Sequence, residues 1–573
     1  MIGRDLGTTN SLVCVWEEDH VRLLENCFGE KLTPSVVSFD KDGTVYVGKT
    51  AKERLVTHPE TTFREFKRDM GTDIRYTAYD REYTPEELSA LVLKQLKADA
   101  ELALGHPVGE AVISVPAYFN DKQRAATRNA GLLAGLKVER LINEPSAAAL
   151  AYHVDKSDVE EMFIVFDFGG GTLDVSLVDA FENVIEIQAI SGDNRLGGKD
   201  FNTLIAYDIC LRNQLIWKEL SKQEQAILLR EAEQLKLRLS DSEEAEAQVR
   251  IDGKEYAYTL SNQQLVDLSA ELFAAIQKVL SRLMNNGMVT ERDIAKVIMV
   301  GGSSRMPTVR QFISRLFDGR ISDGGNPDEI ICQGTGILCG IMERKSAVRD
   351  LVLTDICPFT LGVGIQGDVM SPIIRKNQSL PSSHAEVYTT VNDNQRVVRI
   401  PVYQGENHKA SINLSLAEIE IVVPPRPAGK VKVEVRFSYD INGLFDIDVF
   451  CPETGEHIRR ELGMGGGMSQ EQLLASRAAL EKIKLPPRDM EKNKCILEKA
   501  EALYSECNER QQTFLAQAID RFLAALDQQR PSAAEKAYRI FQVQIAMVEN
   551  ALFHFDAFDE EEWDATFEDP EEP

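Results

Sequence analysis

Several things are scarce in these 573 residues. The nine Cys are scattered and form no C-x-x-C pair, so neither a zinc site nor a disulfide framework is expected and the thiols read as reduced. No apolar run approaches the length of a membrane span, and the start lacks a basic stretch leading into an apolar one. A cytoplasmic location is therefore expected. No G-x-x-x-x-G-K-[ST] loop occurs, which excludes a P-loop enzyme. Positive charge is short as well: 64 Lys and Arg against 91 Asp and Glu leave a net charge of −27. A surface that acidic argues against nucleic acid or an anionic membrane as the main partner. The remainder, 43% apolar with both charge signs interspersed, describes a soluble globular chain. It is too long for one core, and roughly two to four domains are expected.

From residue 1 to about 345, β-rich runs alternate with signalled helices, an α/β pattern. In "TPEELSALVLKQLKADAELALG", Thr84 is an N-cap, Pro85 opens the first turn, Glu87 closes a capping box and Gly105 follows the end. "NDKQRAATRNAGLLAG" and "SKQEQAILLREAEQLKLRL" start in the same way. Between Phe359 and about Leu462 helical periodicity vanishes. Short strands such as "HAEVYTT", "RVVRIPVYQ", "KVKVEVRFSY" and "LFDIDVF" are separated by turns, which predicts an antiparallel β-domain. "GMGGGMS" reads as a joint, and Ser469 with Gln472 opens a helical segment that breaks at "LPPRD" and runs to about His554. The last 18 residues hold ten acids and no base, which predicts a disordered tail.

One phrase occurs twice. The chain opens with "MIGRDLGTTNS", and residues 163 to 175 read "FIVFDFGGGTLDV". Each is a short apolar strand ending in Asp (Asp5, Asp167), an apolar residue and a Gly/Thr cluster, followed by two returning strands. Duplication into two related lobes, each offering a hairpin tip to a shared cleft, accounts for both. Gly lets backbone N–H groups approach a phosphate closely, and Thr hydroxyls add donors. An Asp beside each tip would repel bare phosphate, so a cation belongs between them. Mg²⁺ fits, since it binds through one or two carboxylates plus phosphate oxygens. The pair then reads as a phosphoryl-transfer or hydrolysis site. Two rivals stay open: two unrelated Gly turns, and the paired Asp–Gly phrases of an aspartic protease. The protease places Thr or Ser where Leu6 and Phe168 stand here, and it is β-rich throughout. Two further Gly turns, in "VIMVGGSSRMPTVRQFISRLF" and "SGDNRLGGKDFN", precede helix starts suited to a nucleotide.

On these phrases the chain resembles the heat-shock protein 70 family, the DnaK-type chaperones, nearest to its short HscC-like branch. The matching runs are "DLGTTNS", "VISVPAYFND", "LINEPSAAALAY", "FDFGGGTLDVS", "GDNRLGGKDF", "VGGSSRMP" and "NPDEI", continuing through "RDLVLTDICPFTLGV", "VYQGEN" and "SYDINGLFDIDV". They cover roughly residues 1 to 465. The resemblance implies a duplicated actin-like (ribonuclease H-like) ATPase domain over 1–345 and a linker over 346–358. A β-sandwich peptide-binding domain over 359–465, a helical lid-like segment over 466–555 and an acidic tail over 556–573 would follow.

It also implies roles. Asp5, Gly7, Thr8, Thr9 and Asn10 would form the first phosphate tip and Gly169, Gly170, Gly171 and Thr172 the second. Asp5 would serve the metal, and Asp167 would act on it through water. Lys67, which the sequence alone gives as a solvated lysine, matches the lysine that positions the attacking water. Glu144, otherwise an acid favoured at a helix start, would hold that water or the metal's. Gly197, Gly198, Glu233, Lys236, Ser240, Gly301, Gly302, Ser303, Arg305 and Asp328 would line the adenosine pocket, with Arg305 stacking on the base. Pro116, Arg124 and the linker residues Leu351, Val352, Leu353 and Asp355 would relay nucleotide state. Val363, Tyr388, Val398, Ile400 and Leu444 would hold an extended peptide, although alternating apolar residues are normally core. ATP/ADP, Mg²⁺ and K⁺ are the implied cofactors. Unfolded client polypeptides, a J-domain co-chaperone and a nucleotide exchange factor are the implied partners, and the chain is expected to be a monomer. Alternatives are a small-molecule kinase on the same fold and a regulatory or exchange-type relative with a narrow client range.

The sequence departs from the family at a few places. Arg4 replaces an apolar residue in the first strand and is expected to face the helix layer with a carboxylate or carbonyl partner. Leu237 stands where a second Arg could cover the adenine, and Lys199 replaces an acid beside Gly198. Gln366 and Val391 differ from the residues that arch over a peptide. The apolar linker "DLVL" asks for a docking groove on the ATPase domain.

Overall fold

The computed structural model describes residues 1–154, 160–251, 253–441, 445–462, 470–481, 488–504, 506–527 and 531–553. The "GMGGGMS" joint with Ser469, the acidic tail, Leu444 and the first three residues of the "LPPRD" break lie outside these residues.

The repeated phrase folds twice into the same unit. Strands Ile2–Leu6, Asn10–Glu17 and His20–Leu23 form an antiparallel meander, and so do Glu161–Phe168, Leu173–Phe181 and Val184–Asp193. Each meander is extended on its first strand by two parallel strands. Glu110–Val115 and Lys137–Asn143 serve the first copy, and Lys296–Val300 and Ile321–Ser322 the second. The two sheets therefore run in matching strand order, as duplication requires. Central strands such as Phe163–Phe168 are buried on both faces, which suits continuous Val/Ile/Phe runs. Helices Glu144–His153 and Ile330–Met342 pack against each other between the sheets and share a core with Val112, Phe163, Val178 and Ile298.

Helix signals translate directly. Thr84 and Glu87 exchange both capping-box hydrogen bonds at the start of Pro85–Leu104, and Gly105 ends that helix at φ 71°. Asn120 with Gln123, and Ser221 with Glu224, make the same box. Arg4 is fully buried and donates from Nη1 to the carbonyl of Leu93, 2.5 Å away in the adjacent helix. Its Nε and Nη2 find no acceptor. Burial pulls the guanidinium down to about 9, against the opposing fields of Glu101 and Asp99. The expected carbonyl is present; the desolvation is only partly offset.

After residue 360 two four-stranded antiparallel sheets enclose one core. One is built from Val369–Ile374, Leu361–Ile365, Val397–Gln404 and Leu414–Val422. The other comprises Ser382–Thr389, Lys432–Tyr439, Phe445–Cys451 and Glu456–Leu462. Val402, Val433, Phe437 and Ile447 fill it from alternate positions. The "DLVL" stretch is itself structured. Val352–Thr354 joins the edge of the second-lobe sheet, parallel to Val184–Glu186, and Leu351 is buried beside Ile337 and Val348. The edge strand pairs its backbone there and Leu351 finds an apolar pocket, while Val352 stays half exposed. The helices beyond residue 470 pack on the α/β lobes, which differs from the expected lid over the β-domain.

Candidate functional site

The two Gly/Thr tips meet. A Cβ on Gly170 would lie 1.9 Å from Thr9 Oγ1, and one on Gly171 would lie 2.4 Å from Thr8 Cγ2, so the lobes touch where only glycine fits. One cavity of about 590 Å³ opens at this junction. Asp5, Gly7, Thr8, Thr9, Asn10, Lys67, Glu144, Asp167, Gly169, Gly170 and Thr172 line one part of it. Glu233, Lys236, Ser240, Gly301, Gly302, Ser303, Arg305 and Asp328 line the rest. Gly171, Gly197 and Gly198 are behind this wall: Gly197 backs the second tip, and Gly198 presses on Ser303 and Lys236.

Buried charge dominates the inner end. Lys67 rides on a short 3-10 turn, is 4% exposed, and donates to Glu144 Oε1 at 2.5 Å above the ring of Phe119. The solvated lysine that the sequence alone suggests is thus a buried one. Ser114 Oγ donates to Asp5 at 2.7 Å. Asp174 accepts the amide of Tyr118 at 3.1 Å and lies beside the Thr172 hydroxyl. Burial raises the carboxyls of Asp5 and Asp174 to about 7, and Glu144 adds repulsion to both. The same causes lift Asp167 well above its ordinary value. Four buried carboxyl groups face one bonded lysine, and protons held by Asp5, Asp167 and Asp174 offset part of their charge, a task that a bound divalent cation would take over. Among the described residues no three His, Cys, Asp or Glu groups converge to hold a metal by themselves. This set fits Mg²⁺ shared with phosphate and water better than a fully protein-ligated ion.

At the outer end Arg305 is half exposed, bonded to Asp328 at 2.9 Å and Asn326 at 2.6 Å. Lys236 donates to the Gly198 carbonyl at 2.9 Å, and burial lowers its ammonium to about 8. Leu237 also lines the cavity, half exposed, and Lys199 pairs with Glu65. Two contributors carry no role in the sequence reading. Arg68 donates to the Gly171 carbonyl at 2.6 Å and to Asp200 at 2.9 Å, tying the first lobe to the second tip. Asp174 is the other; an acid inside the apolar strand "TLDVSLV" is the signal that could have found it.

A hydrogen-bonded path leaves the cavity. Arg124 donates to the carbonyls of Ala117 and Phe119 and to Asn143 Oδ1 at 2.6 Å. Asn143 and Ser146 donate to Asp355 of the linker at 2.8 and 3.0 Å. Asn143 precedes Glu144 in the chain, so linker and Lys67 are two short steps apart. Pro116 is buried, and its carbonyl accepts the amide of Phe119, whose ring underlies Lys67. The β-domain rests nearby: Tyr439 donates to Asp121, and Phe359 packs edge-on against Tyr118 at 4.8 Å. Within that domain Val363 and Ile400 are buried in the core, with Tyr388 and Val398 half-buried against it.

Twin lobes that close interlocking phosphate-type tips over a carboxylate-lined cleft define an ATPase, here with a β-domain joined by a docked linker. The chain belongs to the Hsp70 family, the ATP-dependent molecular chaperones: the family profile described as Hsp70 protein matches residues 1–79 and 72–565. The chaperone protein DnaK of Thermotoga petrophila is 40% identical over 471 residues, covering 78% of this chain and 77% of the relative. That of Thermosipho africanus is 38% identical over 479 residues, covering 80% and 78%. Among the described residues no helix is long and apolar enough to cross a membrane.

The raised carboxyls carry a sign. Between the ordinary Asp value of 3.8 and about 7 the folded apo chain holds protons that the unfolded chain does not, so stability falls as pH rises through that window. A cation competes with those protons. Binding of Mg-ADP at pH 7 is expected to release protons, read by calorimetry in two buffers of different ionisation enthalpy. Identical heats would refute it.

Proposed function

We propose that the chain couples ATP hydrolysis in the duplicated lobes, an actin-like domain over residues 1–345, to a peptide clamp in the β-sandwich over 359–465. The observation that carries this reading is the docked linker: Asp355 is bonded to Asn143, beside Glu144, while Leu351 is buried in the lobes. A change at the phosphate end alters the partner of Lys67 and, through Asn143, the footing of the linker. Linkage then requires peptide to act back on hydrolysis, through a coupling of about 1–3 kcal/mol.

In the mechanism, tip amides with Thr8, Thr9 and Thr172 grip the phosphates, while Lys67 and Glu144 orient the attacking water. Asp5 and, through water, Asp167 would hold Mg²⁺, which would supply neutralisation of the charge on the transferred phosphate, and the remaining carboxylates would suit K⁺. Glu233, Lys236, Ser240 and Arg305 would hold the nucleoside. Val363, Tyr388, Val398 and Ile400 would serve an extended client once the sheets open around them. A J-domain co-chaperone and an exchange factor are the partners such a cycle calls for.

ATP turnover with and without a reduced, unfolded peptide tests the reading. Stimulation of several fold is expected. Turnover that ignores peptide would favour a kinase-like enzyme, and peptide binding without turnover a regulatory relative.

A further inference from the structure

Among the described residues, the helices beyond residue 470 bond to the two α/β lobes, and to both of them. On the first lobe, helix Arg488–Tyr504 packs along helix Lys49–Thr57. Glu498 is fully buried there. It accepts from Arg54 Nη1 at 2.5 Å, Thr57 Oγ1 at 2.8 Å and Lys494 Nζ at 3.0 Å, and Arg54 is equally buried. Leu480, from the preceding helix, enters the core of the same lobe. On the second lobe, Glu506 pairs with Arg230 of helix Lys222–Arg238, and Arg250 donates to the carbonyl of Cys507. Ala502 joins that lobe's core, and helix Pro531–Phe553 packs on strand Glu244–Ile251.

These anchors flank the cleft mouth. Lys52 and Leu55, from the helix under Glu498, and Glu233, from the helix under Glu506, line the nucleotide cavity. The same three line a second cavity, of about 560 Å³, which is walled on its other side by Lys499, Leu503, Glu506 and Glu549 of the C-terminal helices. The way out of the cleft on this side therefore runs beneath them. Helices Arg488–Tyr504, Glu509–Asp527 and Pro531–Phe553 have a core of their own around Ile496, Leu515, Phe522 and Phe541, so they span the mouth as one stiff body.

We propose that this three-helix body is a strap across the cleft, and that its hold on both lobes sets the rate of nucleotide release. A buried, fully partnered carboxylate is a specific fastening: separating the lobes must either strand Arg54 and Glu498 or undo the second-lobe contacts. The inference rests on the cleft being the nucleotide site. It differs from a peptide-covering lid, since the fastening residues face the lobes.

Release of a fluorescent N-methylanthraniloyl ADP with Mg²⁺ from the full chain, chased with unlabelled ADP in a stopped-flow instrument, tests it. Glu506→Arg, set against Arg230, and Glu498→Gln are each expected to speed release about tenfold, with hydrolysis in a single turnover unaltered. Release at the wild-type rate in the folded double variant overturns the strap. A wild-type chain that binds no labelled ADP overturns the cleft reading and the strap with it, and is distinguished by the absence of any signal to chase.

Discussion

Lys67→Ala is expected to lower hydrolysis of bound ATP about 10²–10³-fold, the usual consequence of deleting one preorganised electrostatic group at a reacting phosphate. Lys67 is the positive side chain bonded directly to Glu144, and burial holds it at one place above Phe119. Without it the buried Glu144, Asp5, Asp167 and Asp174 lose the ammonium bonded to Glu144, and the pair proposed to orient the water is broken. Single-turnover hydrolysis of prebound ATP measures the step free of product release. A variant that hydrolyses ATP at the wild-type rate would show that Lys67 only braces Glu144.

The second large effect is expected at the linker. Leu351→Asp places a carboxylate in the cluster of Ile337 and Val348, against which Trp16 packs, where it finds apolar neighbours. The strand Val352–Thr354 then loses its anchor, although the phosphate tips are untouched. Basal turnover is expected to stay within about twofold, while stimulation by unfolded peptide disappears, since a coupling of 1–3 kcal/mol has lost its carrier. Undiminished stimulation in a folded Leu351→Asp chain would mean that the lobes and clamp communicate by another route.

The tips, the helix caps and the antiparallel strands were legible because local chemistry dictates them. Asp–x–Gly phrases, Thr84 with Glu87, and period-two alternation each act over a few residues. Lys67 was legible only through family likeness, since nothing in "FREFKRDMG" separates a buried lysine from its charged neighbours. Arg68 and Asp174 were hidden because their partners, Asp200 and Tyr118, come from distant stretches of chain. The placement of the C-terminal helices was the least legible feature. Glu498 in "CILEKAEAL" reads as a solvated helix residue, and its burial depends on Arg54, 444 positions away. Arg4 was legible in part: alternation gave its direction and the cost of burial demanded an acceptor, but not that two of its nitrogens would go without.

Whenever Val352–Thr354 lifts away, the amides and carbonyls of Val184–Glu186 are left as a raw sheet border. Such a border welcomes any extended chain that passes, including another copy of itself. In that condition a chaperone of this family displays an adhesive seam of its own, which the reseating of three residues closes again.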